Sequence, residues 1–407
     1  MSISVLLRRD GYRTMLVGQA VSALGDWMGT VAFMALVLER TGSSTAVGGI
    51  LALRLLPGAI GGPLAARAAS RWDRRRVMVS MDALRAAIVV VVPLVTQLWW
   101  IYVWAFAIEV ASLVFLPARD ASIPDLADND DLPLANGLVL GTSYGTIPLG
   151  AALFALVTAL PGHVLLGRPF LLVFWLDAVS FAVSGILIAR LTQLSGSGDA
   201  TKVSGEPAHD LRFRDAFRIP LVRAVMPAAV AVAVGLGALF SLGIVYVRDV
   251  LHASDAQFGV LIALFGVGAV AGLQLLRTTP EMDGIRATQV GVGALGAIVA
   301  LFSLAPAIGF AFVGAAAFGA AAAWTLASGM GALQSRLDGN ERVLAFSAFH
   351  IVIRCGLAAA AIGAGVAGEI VDDVRWPVVG RLEPARLVLF CAGVLVFLSA
   401  TRVRVRK

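Results

Sequence analysis

The chain has 407 residues, 59% of them hydrophobic and only 14% charged, with a mean hydropathy of +0.87. That composition excludes a soluble domain with a polar skin and defines a polytopic membrane protein. The formal charge of +6 does not point to nucleic acid, because the arginines sit in short turns between apolar runs and not on one polar face with interleaved aromatics.

Residues 1–13 are polar and basic, and the apolar run after them shows no small-residue cleavage site, which predicts a retained first helix and not a signal peptide. The first span, 15–38, carries Asp26 and Trp27. The second, 46–66, carries Arg54 together with Gly58 and Gly62, whose spacing lets helix backbones approach closely. A charge left inside the bilayer costs about 2.5–3.5 kcal/mol even on the lenient insertion scale, so Arg54 is a functional candidate. Next comes a basic turn, Arg71-Trp72-Asp73-Arg74-Arg75-Arg76, which the positive-inside rule assigns to the cytoplasm.

Span three, 77–96, holds Asp82 and Arg85 at a spacing that pairs them on one helix face. Trp99, Trp100, Tyr102 and Trp104 read as an interfacial aromatic belt, and span four, 98–118, carries Glu109. Spans five (134–158) and six (169–190) follow, the latter with Asp177. Residues 195–210 form a Gly/Ser-rich linker, followed by a basic amphipathic piece over 211–218 that reads as an inner-leaflet element or as a charged lead-in to span seven.

The second set of apolar windows covers 222–247, 256–276, 287–305, 307–333, 345–370 and 385–401. It carries Gly268 and Gly272, then Trp324, then Arg354. Cys355 and Cys391 fall inside these runs without metal-ligand spacing, which predicts buried thiols and no disulfide framework. Twelve spans put both termini on one side. Of the 32 Lys and Arg, 23 fall on the terminal side and 6 on the other, so that side is the cytoplasm. The expected organisation is a six-helix bundle over 1–194, a cytoplasmic linker over 195–220 and a second six-helix bundle over 221–407.

The halves repeat each other. Residues 41–67 laid on 251–277 pair identical residues at Ser44/Ser254, Ala46/Ala256, Gly49/Gly259, Leu51/Leu261, Gly58/Gly268, Ala59/Ala269, Gly62/Gly272 and Arg67/Arg277. A parallel duplication places the working site near the midplane between the halves.

Several local patterns narrow the class: Gly18-Gln19 through Gly25-Asp26-Trp27, Leu53-Arg54 with Pro57, the basic turn, Pro117-Ala118-Arg119 with Ile123-Pro124-Asp125-Leu126, Asp177 to Phe181, and Leu333-Gln334-Ser335 with Asn340-Glu341-Arg342. In this order they resemble the major facilitator superfamily, and within it the macrolide-efflux and enterobactin-exporter branch of drug:proton antiporters. The resemblance implies an all-α membrane fold of twelve transmembrane helices in two pseudo-twofold six-helix bundles. It also implies a monomer in the bacterial inner membrane that exports a small amphipathic compound against protons by alternating access, with no cofactor. Gly141 to Gly150, including Gly145 and Pro148, is similar to the branch's antiporter motif, and Ser70 stands where the superfamily usually carries an aspartate.

At 1.5 Å per residue, Asp26 and Glu109 each lie about 16 Å into their spans, near the midplane. They are the proton-coupling candidates, since a low-dielectric site raises a carboxyl pKa toward neutrality. The bland alternative is that one of them neutralises Arg54. Arg54, Arg354, Trp27 and Trp324 are the substrate or gating candidates, and Arg71, Asp73, Arg74, Arg75 and Arg76 the cytoplasmic gate turn. Gly58, Gly62, Gly145, Pro148, Gly268 and Gly272 are expected at helix contacts.

The four histidines show no metal spacing, no phosphate-binding glycine loop precedes a lysine, and no catalytic constellation sits at matching depth, so neither a metal centre nor an enzyme is expected. The alternatives left open are a narrow siderophore, metabolite or lipid exporter on the same fold and a transport-inactive membrane scaffold.

Overall fold

The structure is a computed structural model. It describes residues 6–60, 73–128, 132–162, 164–168, 170–194, 216–277, 282–337, 339–371, 374–376 and 380–403. Its α-helices are α1 (Asp10–Thr41), α2 (Ser44–Ile60), α3 (Arg74–Val91), α4 (Leu98–Leu126), α5 (Leu132–Gly145), α6 (Ile147–Ala159) and α7 (Leu171–Ala189), then α8 (Pro220–Val245), α9 (Asp255–Arg277), α10 (Gly284–Ser303), α11 (Ile308–Arg336), α12 (Gly339–Ile370) and α13 (Pro384–Ser399). Among the described residues, eleven helical segments are long and apolar enough to cross a membrane, and Ser44–Leu55 is a shorter apolar helix. The one non-helical element among them is a hairpin of β1 (Val374–Trp376) on β2 (Gly380–Leu382), antiparallel, with Arg375 opposite Arg381.

Two compact units emerge. Unit 1 comprises Met1–Arg40 with Pro57–Ser204, and unit 2 comprises Thr41–Leu56 with Gly205–Lys407. The first part of α2 therefore belongs to unit 2, although it lies in the first half of the sequence.

In unit 1 the core joins Tyr12, Met15, Met78, Phe115, Ile123 and Ile188. The Tyr12 hydroxyl donates to Ala135 O at 2.8 Å and ties α1 to α5. Asp73 caps α3, its Oδ1 accepting from Arg76 N at 2.8 Å. The fifth apolar window, expected over 134–158, is carried by α5 and α6, which meet in a turn at Thr146. Pro148 falls in the first turn of α6 and lacks the N–H that would continue the α5 ladder. The Thr146 hydroxyl instead donates to Thr142 O at 2.9 Å.

In unit 2, Ser254 and Gln257 form a reciprocal capping box at the start of α9, with N–H to side-chain distances of 2.9 and 3.3 Å. The C-terminal carbonyls of α10 are closed by side chains from elsewhere. Tyr246 donates to Phe302 O at 2.9 Å, and Arg386 donates to Ser303 O at 3.0 Å and Ala305 O at 2.9 Å. Glycines set the helix spacing: an added Cβ would overlap Ala316 O at Gly268, Ala320 O at Gly272 and Phe265 O at Gly319. These three positions bring α9 and α11 into backbone contact.

The start of α2 packs on α12 in the same way. An added Cβ at Gly48 would overlap Ala361 O, and Ser44 Oγ donates to Gly365 O at 2.7 Å. Glu369 of α12 accepts from the Ser43 hydroxyl and from Thr45 N, the latter at 3.1 Å. It does for α2 what Gln257 does for α9, because Val47 occupies the repeat position equivalent to Gln257.

Two expectations are corrected. Both cysteines are exposed on their helices, not buried. In a membrane bundle an apolar run faces lipid as readily as core, so apolar context does not bury a thiol. Gly145 is not a close-approach glycine: a Cβ there would meet nothing within 4 Å, whereas one at Gly150 would overlap α1 at Trp27 and Leu24. Gly62 and most of the 195–220 linker lie outside the described residues, and Gly58 is described only as helical backbone.

Candidate functional site

The first and fourth helices of unit 1 carry its polar interior. Along α1, Gln19, Ser22, Asp26 and Thr30 recur at intervals of three, four and four residues. At 100° per residue that spacing puts them on one face, with Gln19 and Asp26 about two turns, or ~10.5 Å, apart. Gln19 and Ser22 are buried and Asp26 is half-buried. Thr30 Oγ1 donates to Asp26 O at 2.7 Å.

The N-terminal end of this stripe meets Arg119 of α4. Its guanidinium is 7% exposed and donates to Asp120 Oδ1 at 2.8 Å through Nε. It makes longer contacts through one terminal nitrogen to Gln19 Oε1 at 3.3 Å and Ser143 Oγ at 3.4 Å. Trp27 donates from its indole N–H to Ser143 O at 2.9 Å, so α1, α4 and α5 converge here. Gln19 Nε2 has no protein partner, which leaves a buried donor aimed into a polar site.

A neighbouring face of α1 has a different task. Gly25 and Gly29 lie directly against Asp177 of α7, itself 2% exposed, and Ser180 sits beside it. Asp177 is thus a packing group within unit 1. Asp82 and Arg85 are a second buried pair, joined carboxylate to guanidinium. The guanidinium carbon stacks 4.5 Å from the Phe115 ring centroid and 4.4 Å from that of Phe181.

The remaining sequence candidates fall as follows. Glu109 is half-buried on α4. Of the basic turn, Arg71 lies outside the described residues. Asp73 is occupied as the α3 cap, Arg74 donates to Ala121 O at 2.7 Å and pairs with Asp125 at 2.6 Å, and Arg75 reaches Ala189 O at 3.4 Å. Arg76 is exposed. In unit 2, Arg54 is 9% exposed on α2 and Arg354 is half-buried on α12. Trp324 is 8% exposed and its indole N–H donates to Ala287 O at 3.1 Å, which commits it to the contact between α10 and α11.

Arg119 is the group that sequence reasoning passed over, since its place after Pro117 reads as one more orienting charge of an inner turn. The signal was the polar spacing on α1, which gives a cation at its N-terminal end something to meet. Among the described residues no cluster of His, Cys, Asp and Glu is suited to hold a metal.

Membrane-spanning helices in two units, glycine-set helix seams and a polar stripe inside one unit define a solute carrier, not a soluble binding module. The Major Facilitator Superfamily model matches residues 15–361, and the chain belongs to that family. It is 31% identical over 197 residues to the multidrug efflux pump Tap of Mycobacterium tuberculosis (strain ATCC 25618 / H37Rv), covering 45% of this chain and 44% of that protein. It is 27% identical over 150 residues to macrolide efflux protein A of Streptococcus pyogenes, covering 35% of this chain and 37% of that protein. The chain thus spans less than half the length of the curated relatives it matches. Among solved structures it is similar to a bacterial homologue of the human lysosomal transporter Spinster, with a TM-score of 0.75 at 15% identity over 99% of this chain and 97% of that one.

Proposed function

We propose that this transporter exports a small amphipathic compound across the bacterial inner membrane by proton antiport and alternating access, as a monomer with both termini cytoplasmic. The observation that carries this reading is the α1 stripe of Gln19, Ser22, Asp26 and Thr30 with Arg119 at its inner end. A carboxylate and a guanidinium in membrane-spanning helices are costly, and hydrophobic replacement would stabilise a scaffold that moved nothing. The efflux relatives named above support the outward direction.

Asp26 is the proton-binding group in this scheme, with Glu109 as its alternate. Alternating access would open that carboxyl to each side of the membrane in turn. Arg119, through Gln19, holds the inner end of the stripe polar. Arg54 and Arg354 serve the site or its gates, and the basic turn with Asp73 to Arg76 serves the cytoplasmic gate.

The test is transport in proteoliposomes under an imposed pH gradient, with a macrolide and a lipophilic cation as cargo. Wild type should accumulate cargo against the gradient. Asp26→Asn should abolish gradient-driven flux while preserving exchange of cargo for cargo. Gradient-driven flux at the wild-type rate in both Asp26→Asn and Glu109→Gln would exclude both carboxylates as coupling groups.

A further inference from the structure

Where the α1 stripe meets Arg119, hydrogen-bond donors are left over. Nε and one terminal nitrogen of the guanidinium both donate to Asp120 Oδ1, at 2.8 and 2.7 Å. The other terminal nitrogen has Gln19 Oε1 at 3.3 Å and Ser143 Oγ at 3.4 Å, each longer than an ordinary N–H···O bond and well beyond a charge-assisted one. Gln19 Nε2 has no partner among the described residues. The amide cannot be turned the other way, because a guanidinium only donates and must face Oε1. Both side chains are more than nine-tenths buried, so donors left unmet there destabilise the unit.

The fold itself does not require them. In the register of the repeat, α1 starts at Asp10 where α8 starts at Pro220, and α4 and α11 coincide at both ends, Leu98 on Ile308 and Leu126 on Arg336. Gln19 then falls on Ala229 and Arg119 on Gly329. The second unit packs the equivalent helices with no polar side chain at either position.

Charge decides what completes the site. Arg119 already has a counter-anion in Asp120, so the pair is neutral. A carboxylate or phosphate arriving beside it would bury a second anion on one guanidinium, with Asp26 a further acid about two turns along the same face of α1. An ammonium would bring donors to donors. A carbonyl oxygen accepts without adding charge, and its two lone pairs match the two donors. Access lies along α5: Ser143 is half-buried, Asp120 is 55% exposed, and a Cβ added at Gly141 or Gly145 would meet nothing within 4 Å.

We infer that Gln19 and Arg119 form a binding site for a neutral carbonyl group, the C=O of an ester, lactone, ketone or tertiary amide, and that Asp120 keeps acids out of it. That the occupant is the carried compound rests on the transport reading above; the choice of a carbonyl does not.

The experiment uses the full chain in phosphatidylcholine nanodiscs with methyl decanoate, isotope-labelled at the carbonyl carbon so that infrared difference spectra separate it from the lipid esters. Bound ester should give a second carbonyl band, below that of ester dissolved in lipid, that saturates and is displaced by unlabelled methyl decanoate. Undecane, which has no acceptor, and decanoate at neutral pH should displace it at least about tenfold less well. Gln19→Met, which keeps the side-chain length and removes the donor, should weaken binding by about three- to tenfold. Arg119→Met is the second variant, should Gln19→Met not fold. Asp120→Asn should improve displacement by decanoate at least about tenfold, since the acid can then serve as the counter-ion of Arg119. A merely structural role for Asp120 would not move that preference.

A single carbonyl band that is the same in wild type and both Met variants, or decanoate displacing as well as the ester does in wild type, would overturn the inference. Gradient-driven transport without a bound carbonyl band would overturn it too and leave the transport reading standing. A saturable band without gradient-driven transport would support the site and count against the transport reading alone.

Discussion

The seam between α9 and α11 gives a prediction whose sign is set by geometry. At Gly268 and Gly272 the partner helix's backbone occupies the place of a side chain, with the Cα atoms of Ala316 and Ala320 each 2.8 Å from where a Cβ would stand. Gly268→Ala would gain roughly 1 kcal/mol of helix propensity and lose about 1–3 kcal/mol through overpacking. The obstacle is backbone and not the end of a flexible side chain, so the upper part of that range applies and the net change is a loss of about 1–2 kcal/mol. In a unit of this size that lowers the melting temperature by roughly 2–8 °C.

Gly331→Ala in α11 is the matched control, since nothing lies within 4 Å of its added methyl, and it should melt at or slightly above wild type. Thermal unfolding of the purified protein in one detergent, followed by intrinsic fluorescence, measures both. If Gly268→Ala melts at or above wild type, the α9–α11 contact is not set by this glycine and the seam is wrongly described.

Other outcomes follow from the buried polar groups and the caps. Asp82→Leu alone should cost about 3–5 kcal/mol by leaving the Arg85 guanidinium uncompensated, while Asp82→Leu with Arg85→Met should recover most of it, as read by the same melts. Glu369→Ala should cost about 1–2 kcal/mol because it removes the acceptor for Ser43 and Thr45 at the start of α2, and Glu369→Gln, which keeps an acceptor, should cost less. At the end of α4, the Arg9 hydrogen bonds hold the Asp128 carboxyl below the usual carboxylate range. The stabilisation is therefore complete above about pH 4 and disappears as pH falls through the lowered value, so an acid titration should show wild type and Asp128→Asn converging at low pH. A membrane-permeant maleimide should label Cys355 and Cys391 in detergent, where a buried thiol would stay unreacted.

Much of the architecture was legible before any coordinates. The bilayer requires about 20 apolar residues per span with every backbone group satisfied inside the helix, so apolar runs translate directly into helices. Glycine spacing carried over from one half to the other found Gly268 and Gly272, because only a missing side chain permits backbone contact. The fifth span was legible in its hydropathy, but the turn at Thr146 inside it was not, because Pro148 removes one N–H from the ladder without changing hydropathy. Gly145 misled for a related reason: a glycine at a helix break looks in sequence like a glycine at a helix contact.

The sequence by itself determined the class, the count and boundaries of most spans, and the polar residues that membrane insertion makes expensive. Hydropathy and charge act locally, and a chain need not be folded for them to be read. Only the tertiary structure decided that residues 41–56 pack in the second unit, that Glu369 caps a helix more than 300 residues away in sequence, and that Arg119 meets Gln19 and Ser143. It also decided that both thiols are exposed. Those are facts about which faces meet, and in a protein whose helices are apolar on the lipid side and the core side alike, composition carries no record of that choice.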